Sequence, residues 1–161
     1  MDEPMTPSQR IAELGLVLPD APSPVAAYRP AVVSDGLVFV SGQIPLSDGR
    51  LTAAGSVPSA LGLEDAKAAA RLCALNGLAV LDSTLPGGID SVLQIVRLGV
   101  FVCSDRGFHD QPQVANGASE LMEQVFGESG RHARAAVGVI ALPLGASVEV
   151  ELAARVTCSR E

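Results

Sequence analysis

Ala133-Arg134-Ala135-Ala136-Val137-Gly138-Val139, then Leu142-Pro143, then Val148-Glu149-Val150-Glu151-Leu152, is the stretch whose reading decides the fold. Both runs alternate with the period of a strand that buries one face. Pro143 and Gly145 break the chain between them, which predicts strands over about Arg134–Ala141 and Ser147–Val156 joined as a hairpin. A hairpin register puts like with like on each face, so Gly138 is set opposite Glu149 and Ala136 opposite Glu151. Arg134, Glu149 and Glu151 then share one face, with small residues leaving room beside them. That arrangement suits an anion pocket: a guanidinium clamps a carboxylate through two parallel bonds, and a nearby carboxylate orients or deprotonates a water. Salt bridges, solvated or at an interface, would give the same pattern.

Outward from this pair, residues 91–103 carry Leu93, Ile95, Val96, Leu98, Val100, Phe101 and Val102, a long strand in a buried sheet. Residues 110–126 place Val114, Ala118, Leu121, Met122 and Val125 on one helical face, and Gly127 ends that helix. Residues 63–82 are Ala- and Leu-rich without proline, a second long helix broken by Leu85-Pro86-Gly87-Gly88. Asp35-Gly36 between Ala31–Ser34 and Leu37–Ser41 is a hairpin signal, and Ser41-Gly42-Gln43 leads into a Gly- and Ser-rich excursion to about Pro58. Thr6-Pro7-Ser8-Gln9 reads as a capped start of a short helix ending at Gly15. A proline-rich arm follows, ending near Tyr28, the only tyrosine. The order is ββ(β)αβαββ: an α+β chain, with residues 1–161 one domain and residues 1–27 its helix and arm. Two helices cover only one face of so wide a mixed sheet. The other face must meet something, and a second copy of the chain is the expected partner.

Composition narrows the function. The net charge is −7 and Lys67 is the only lysine, so nucleic acid is not an expected partner. The cysteines, Cys73, Cys103 and Cys158, lack CxxC spacing and read as reduced thiols. His109 and His132 form no metal-ligand pair at helical spacing, so no metal is expected. With no apolar leader and no membrane-length run, a cytoplasmic location is expected.

Three segments in order resemble one family. Val40-Ser41-Gly42-Gln43-Ile44-Pro45 is similar to the first signature of the YjgF/Rid proteins. Val100-Phe101-Val102 with Asp105 resembles their central strand. The stretch Ala133–Val139, Leu142-Pro143 and Val148–Glu151 resembles their C-terminal signature. The resemblance spans roughly Tyr28 to Val156. It implies a chorismate-mutase-like fold assembled as a homotrimer, with a central β-barrel, helices outside and clefts between subunits. It also implies hydrolysis of 2-imino or 2-enamino acids to 2-oxo acids and ammonia, without a cofactor. By the same carry-over Arg134 grips the substrate carboxylate, Glu149 handles the attacking water, and Tyr28, Ser41, Gly42, Asn116 and Ala136 line the cleft.

Departures place the chain in a divergent branch. Ala136 stands where the deaminases commonly have Cys, the N-terminal helix and arm are additional, and the loop Glu128–Ala133 carries Arg131 and His132. The alternative is a non-catalytic trimer that binds a small carboxylate metabolite or a protein partner. RNA cleavage, ascribed to some members, is opposed by the acidic balance and by the lack of a suitable His pair.

Overall fold

A computed structural model describes residues 4–21 and 27–157. The chain runs α1 (Pro7–Glu13), β1 (Ala31–Ser34), β2 (Leu37–Gln43), a small hairpin β3 (Leu46–Ser47) and β4 (Arg50–Leu51), α2 (Leu63–Thr84), β5 (Val92–Cys103), α3 (Gln111–Phe126), β6 (Ala133–Val139) and β7 (Val148–Val156). The expected caps are present: the Thr6 side chain accepts from the Gln9 N–H, and the Gln9 side chain accepts from the Thr6 N–H. Asp35 and Gly36 both take positive φ, the conformation a tight hairpin requires. Cys158 and part of the arm, residues 22–26, lie outside the described residues.

The main sheet has the order β1-β2-β7-β5-β6 and is mixed: β5 and β6 run parallel, and every other pair is antiparallel. This corrects the expected hairpin of the last two strands. Because α3 intervenes between β5 and β6, the chain returns parallel, and β6 takes the edge beside β5. The segment after Val139 then crosses the end of β5, and β7 inserts between β2 and β5. Gly138 is therefore paired with Val102, not Glu149, and Ala136 with Val100, not Glu151.

The helix-covered face is a continuous apolar layer. Leu98, Val100 and Val102 of β5 register with Leu152, Val150 and Val148 of β7, and all six are almost fully buried. Helix α2 packs on this layer with Ala66, Ala70, Cys73, Ala74, Leu78 and Leu81. Its small residues let α3 come close: a Cβ at Gly117 would collide with the backbone carbonyl of Lys67. Gly117 is thus the point at which α3 comes closest to the α2 backbone. The opposite face carries no helix; Phe39 and Val32 are each 50% exposed there, and Val137 is 45% exposed. α1 is tethered where the Asp90 carboxylate accepts from the Ser8 N–H and hydroxyl at 2.8 and 2.7 Å.

Candidate functional site

The new strand order moves the charged residues. Arg134 registers with Leu98, so it points to the helix side at the β6 edge. Glu149 registers with Phe101 and Glu151 with Gly99, which point to the open face. Arg134 and Glu149 of one chain therefore stand on opposite faces of the sheet, with β5 between their strands. The expected shared face does not exist within a chain, because β6 and β7 each take their register from β5 and not from each other.

On the helix side, the Arg134 guanidinium is held from α3. Its Nη1 donates to Asn116 Oδ1 at 2.9 Å and to Ser119 Oγ at 3.0 Å. Among the described residues, Nε and Nη2 make no hydrogen bond, so one edge of the planar group faces outward, the edge that pairs with a carboxylate. Asn116 and Ser119 lie one helical turn apart and share a face for that reason. Ser119 Oγ also meets His132 Nε2 at 3.0 Å, while His132 Nδ1 stands 2.6 Å from the Gly130 carbonyl. Burial pushes the His132 imidazole below its ordinary pKa, and Arg134 lowers it further against the opposing Gly130 bond. These groups line an open cavity of about 410 Å³ with Glu120, Glu123, Gly130 and Arg131. The acids have partners: Lys67 lies 2.8 Å from Glu120, and Arg131 lies 2.9 Å from Glu123.

On the open face, Glu149 folds flat over Gly42, where any Cβ would collide with its carboxylate. Glu151 does the same over Gly99, in β5. Neither acid has a salt-bridge partner among the described residues. Burial raises the Glu149 pKa above the ordinary carboxyl value, and Glu151 raises it further. Ser41, next to Gly42, donates its hydroxyl to the Arg29 carbonyl at 2.8 Å, fixing the backbone beside Tyr28, whose side chain is 58% exposed. Gly42, Ser41, Tyr28 and Glu149 thus belong to the β2–β7 side, and Arg134 and Asn116 to the β6–α3 side. Ala136 lies on the Arg134 face, packed against the core. Sequence reasoning missed Ser119 as a partner of Arg134. The signal was its spacing of three from Asn116. For His132 the sequence carries no signal that brings it to Ser119 and Arg134.

Comparison with known proteins gives this geometry a context. Residues 8–156 match the family model described as "YjgF/chorismate mutase-like, putative endoribonuclease". The chain belongs to the YjgF/Rid family. Protein TCP17 of Trypanosoma cruzi is 44% identical over 142 residues, covering 88% of each chain. The crystal structure of Atu1372 from Agrobacterium tumefaciens, a protein of unknown function, is similar at 39% identity and a TM-score of 0.86, covering 94% of this chain and 92% of that one. A crystal structure from Shewanella oneidensis described as a "putative endoribonuclease" matches at 30% identity and a TM-score of 0.90, covering 94% of this chain and all of that one (100%). The mixed sheet with its helices is thus the chorismate-mutase-like fold of the YjgF/Rid proteins.

Cys73 and Cys103 are buried free thiols, and burial, with Glu149 adding to it, pushes the Cys73 thiol up. Among the described residues, no group of three or more His, Cys, Asp or Glu is placed to hold one metal ion, and no helix is long and apolar enough to cross a membrane.

Proposed function

We propose that this YjgF/Rid protein hydrolyses small 2-imino or 2-enamino acids to 2-oxo acids and ammonia, in a cleft assembled between copies of the chain. The observation that carries the reading is the state of Arg134: Nη1 is tied to Asn116 and Ser119, and the Nε–Nη2 edge is left for a carboxylate. A guanidinium fixed in this way needs no reorganisation when the anion arrives, which is how positioning becomes rate. The imine carbon is itself electrophilic, so the protein has to hold the carboxylate, admit one water and manage two proton transfers.

Glu149, with its raised pKa, is suited to one of those transfers. It stands on the wrong face to reach a ligand on Arg134 of its own chain, so a neighbouring copy must bring it. The uncovered sheet face, with Phe39, Val32 and Val137, supports such an assembly, and a homotrimer with its sheets lining a central barrel is the arrangement proposed. In it, Gly42 presents backbone to the ligand beside Glu149, and Ser41 and Tyr28 line the same wall.

One observation favours a second reading. With Glu149 absent from the Arg134 side of its own chain, the site would bind a small carboxylate without turning it over unless the copies assemble. RNA cleavage, suggested by the description of the Shewanella oneidensis relative, suits this chain less, because a net charge of −7 opposes a polyanion. The test is release of 2-oxo acid from freshly generated 2-iminopropanoate by the wild type and by Arg134→Ala. Acceleration that disappears in the variant supports the enzyme reading. Pyruvate binding without acceleration supports the binding protein.

A further inference from the structure

Imine hydrolysis requires a base for the attacking water and an acid for the nitrogen, and Glu149 fills one role only. Beside Arg134 in the same chain lies a group the family reading does not use. Its hydrogen-bond inventory can be completed atom by atom. The Gly130 carbonyl can only accept, so His132 Nδ1 carries the proton and donates to it. Nε2 is then bare and accepts from the Ser119 hydroxyl. Ser119 Oγ has two lone pairs; one accepts from Arg134 Nη1, and the other has no partner among the described residues. That lone pair belongs to a hydroxyl that lines the same cavity as the Arg134 guanidinium.

We infer that Ser119 and His132 form a proton relay that deprotonates the water attacking a ligand held on Arg134. In the step, the water oxygen bonds to the imine carbon and the C=N π pair moves to nitrogen, which takes a proton from the acid on the facing wall. The water proton passes to Ser119 Oγ as the Ser119 proton passes to His132 Nε2. When the carbinolamine collapses, its nitrogen takes the proton from Nε2 through Ser119, the carbon–nitrogen bond breaks with its electron pair leaving on ammonia, and the hydroxyl proton restores the acid on the facing wall. The sum is imino acid plus water giving 2-oxo acid plus ammonia. Ser119 touches the reacting water; His132 acts through it.

The two environments divide the roles. The His132 pKa is lowered, so the imidazole is neutral and able to accept, whereas the Glu149 pKa is raised, so its carboxyl holds a proton longer. The charged groups facing His132 are Arg134 from β6, Glu120 and Glu123 from α3, and Arg131 beside it in the chain. Arg131 is neutralised by Glu123 and Glu128, and Glu120 by Lys67, which leaves Arg134 as the charge that acts on the ring.

The inference rests on the hydrolase reading, and the experiment separates their failures. His132→Gln keeps an acceptor near the Nε2 position for the Ser119 hydroxyl but cannot take up a proton. Its kcat for 2-iminopropanoate should fall roughly a hundredfold, and its pyruvate affinity should hold. The wild-type kcat should fall with decreasing pH through a titration below the ordinary imidazole value, and the variant should lack that limb. Ser119→Ala should lose the same limb and also bind pyruvate about tenfold more weakly, having removed one acceptor from Arg134. Ring ¹⁵N NMR should show Nδ1 protonated and Nε2 bare in the folded wild type near neutral pH. A proton on Nε2, or His132→Gln with wild-type kcat and an intact acid limb while Arg134→Ala is silent, would overturn the relay alone. No turnover in the wild type would remove the hydrolase reading and the relay with it.

Discussion

The β6–α3 edge and the β2–β7 face each hold part of a candidate site, and they are built in opposite ways. At the edge, a cation is anchored through one nitrogen: Arg134 Nη1, Asn116, Ser119, His132 and the Gly130 carbonyl form one continuous hydrogen-bonded chain. On the face, a carboxylate is packed but unpaired: Glu149 lies over Gly42 with no cation among the described residues, and its pKa is raised. The first region is complete within one chain. The second holds an unbalanced acid on an uncovered sheet, which costs stability alone and makes sense when another copy covers it.

The largest expected effect breaks the comparison at its anchored side. Arg134→Ala removes both outward hydrogen bonds to a carboxylate, and charge-assisted bonds contribute about 1.5–3 kcal/mol each. Pyruvate affinity, measured by calorimetry, should therefore fall a hundredfold or more. Next is the covering of the open face. Phe39→Asp places a charge in the proposed interface, and sedimentation should show the assembly dissociating to single chains with turnover lost. Gly42→Ala acts on the unpaired side: its Cβ displaces the Glu149 carboxylate at an overpacking cost of about 1–3 kcal/mol. Turnover should drop there while isolated Arg134 chemistry, read as anion affinity, changes less. Asn116→Ala removes one of two acceptors on Nη1 and should weaken pyruvate binding by about tenfold. The smallest effect concerns pH. A carboxyl whose folded pKa is raised stabilises the fold relative to its ionised form below the ordinary carboxyl pKa, and that contribution is lost as pH rises through the folded value. Glu149→Gln should therefore raise Tm slightly at neutral pH, by a few degrees at most given its partial exposure, and the gain should vanish in acid.

The contrast also explains what could be read from the sequence. Local signals were sufficient for the elements: the Thr6–Gln9 capping box, the Asp35-Gly36 turn, the Ala-rich helix and the alternation of Val148–Leu152 each act over a few residues. The family signatures Ser41-Gly42-Gln43 and Arg134–Val139 likewise stand in the sequence as they stand in the fold. Strand neighbours are not local. Nothing in Leu142-Pro143 and Gly145 distinguishes a hairpin from a connection that passes the end of β5, so the alternation alone sets Arg134 and Glu149 on one face where the sheet separates them. The parallel return after α3 decides the matter, and it depends on which edge of β5 is left for β6. Ser119 was hidden for a similar reason. A serine within a helix is ordinary until Arg134 and His132 arrive from elsewhere in the chain.

The central claim is that the two half-sites of one chain work only with those of another copy. Arg134→Ala and Glu149→Gln chains should each be nearly inactive toward 2-iminopropanoate. Co-refolding them in one assembly should restore turnover, because some clefts then combine an intact Arg134 from one chain with an intact Glu149 from the other. Silence in a mixture whose chains demonstrably exchange would contradict the account and place both groups in a site within one chain.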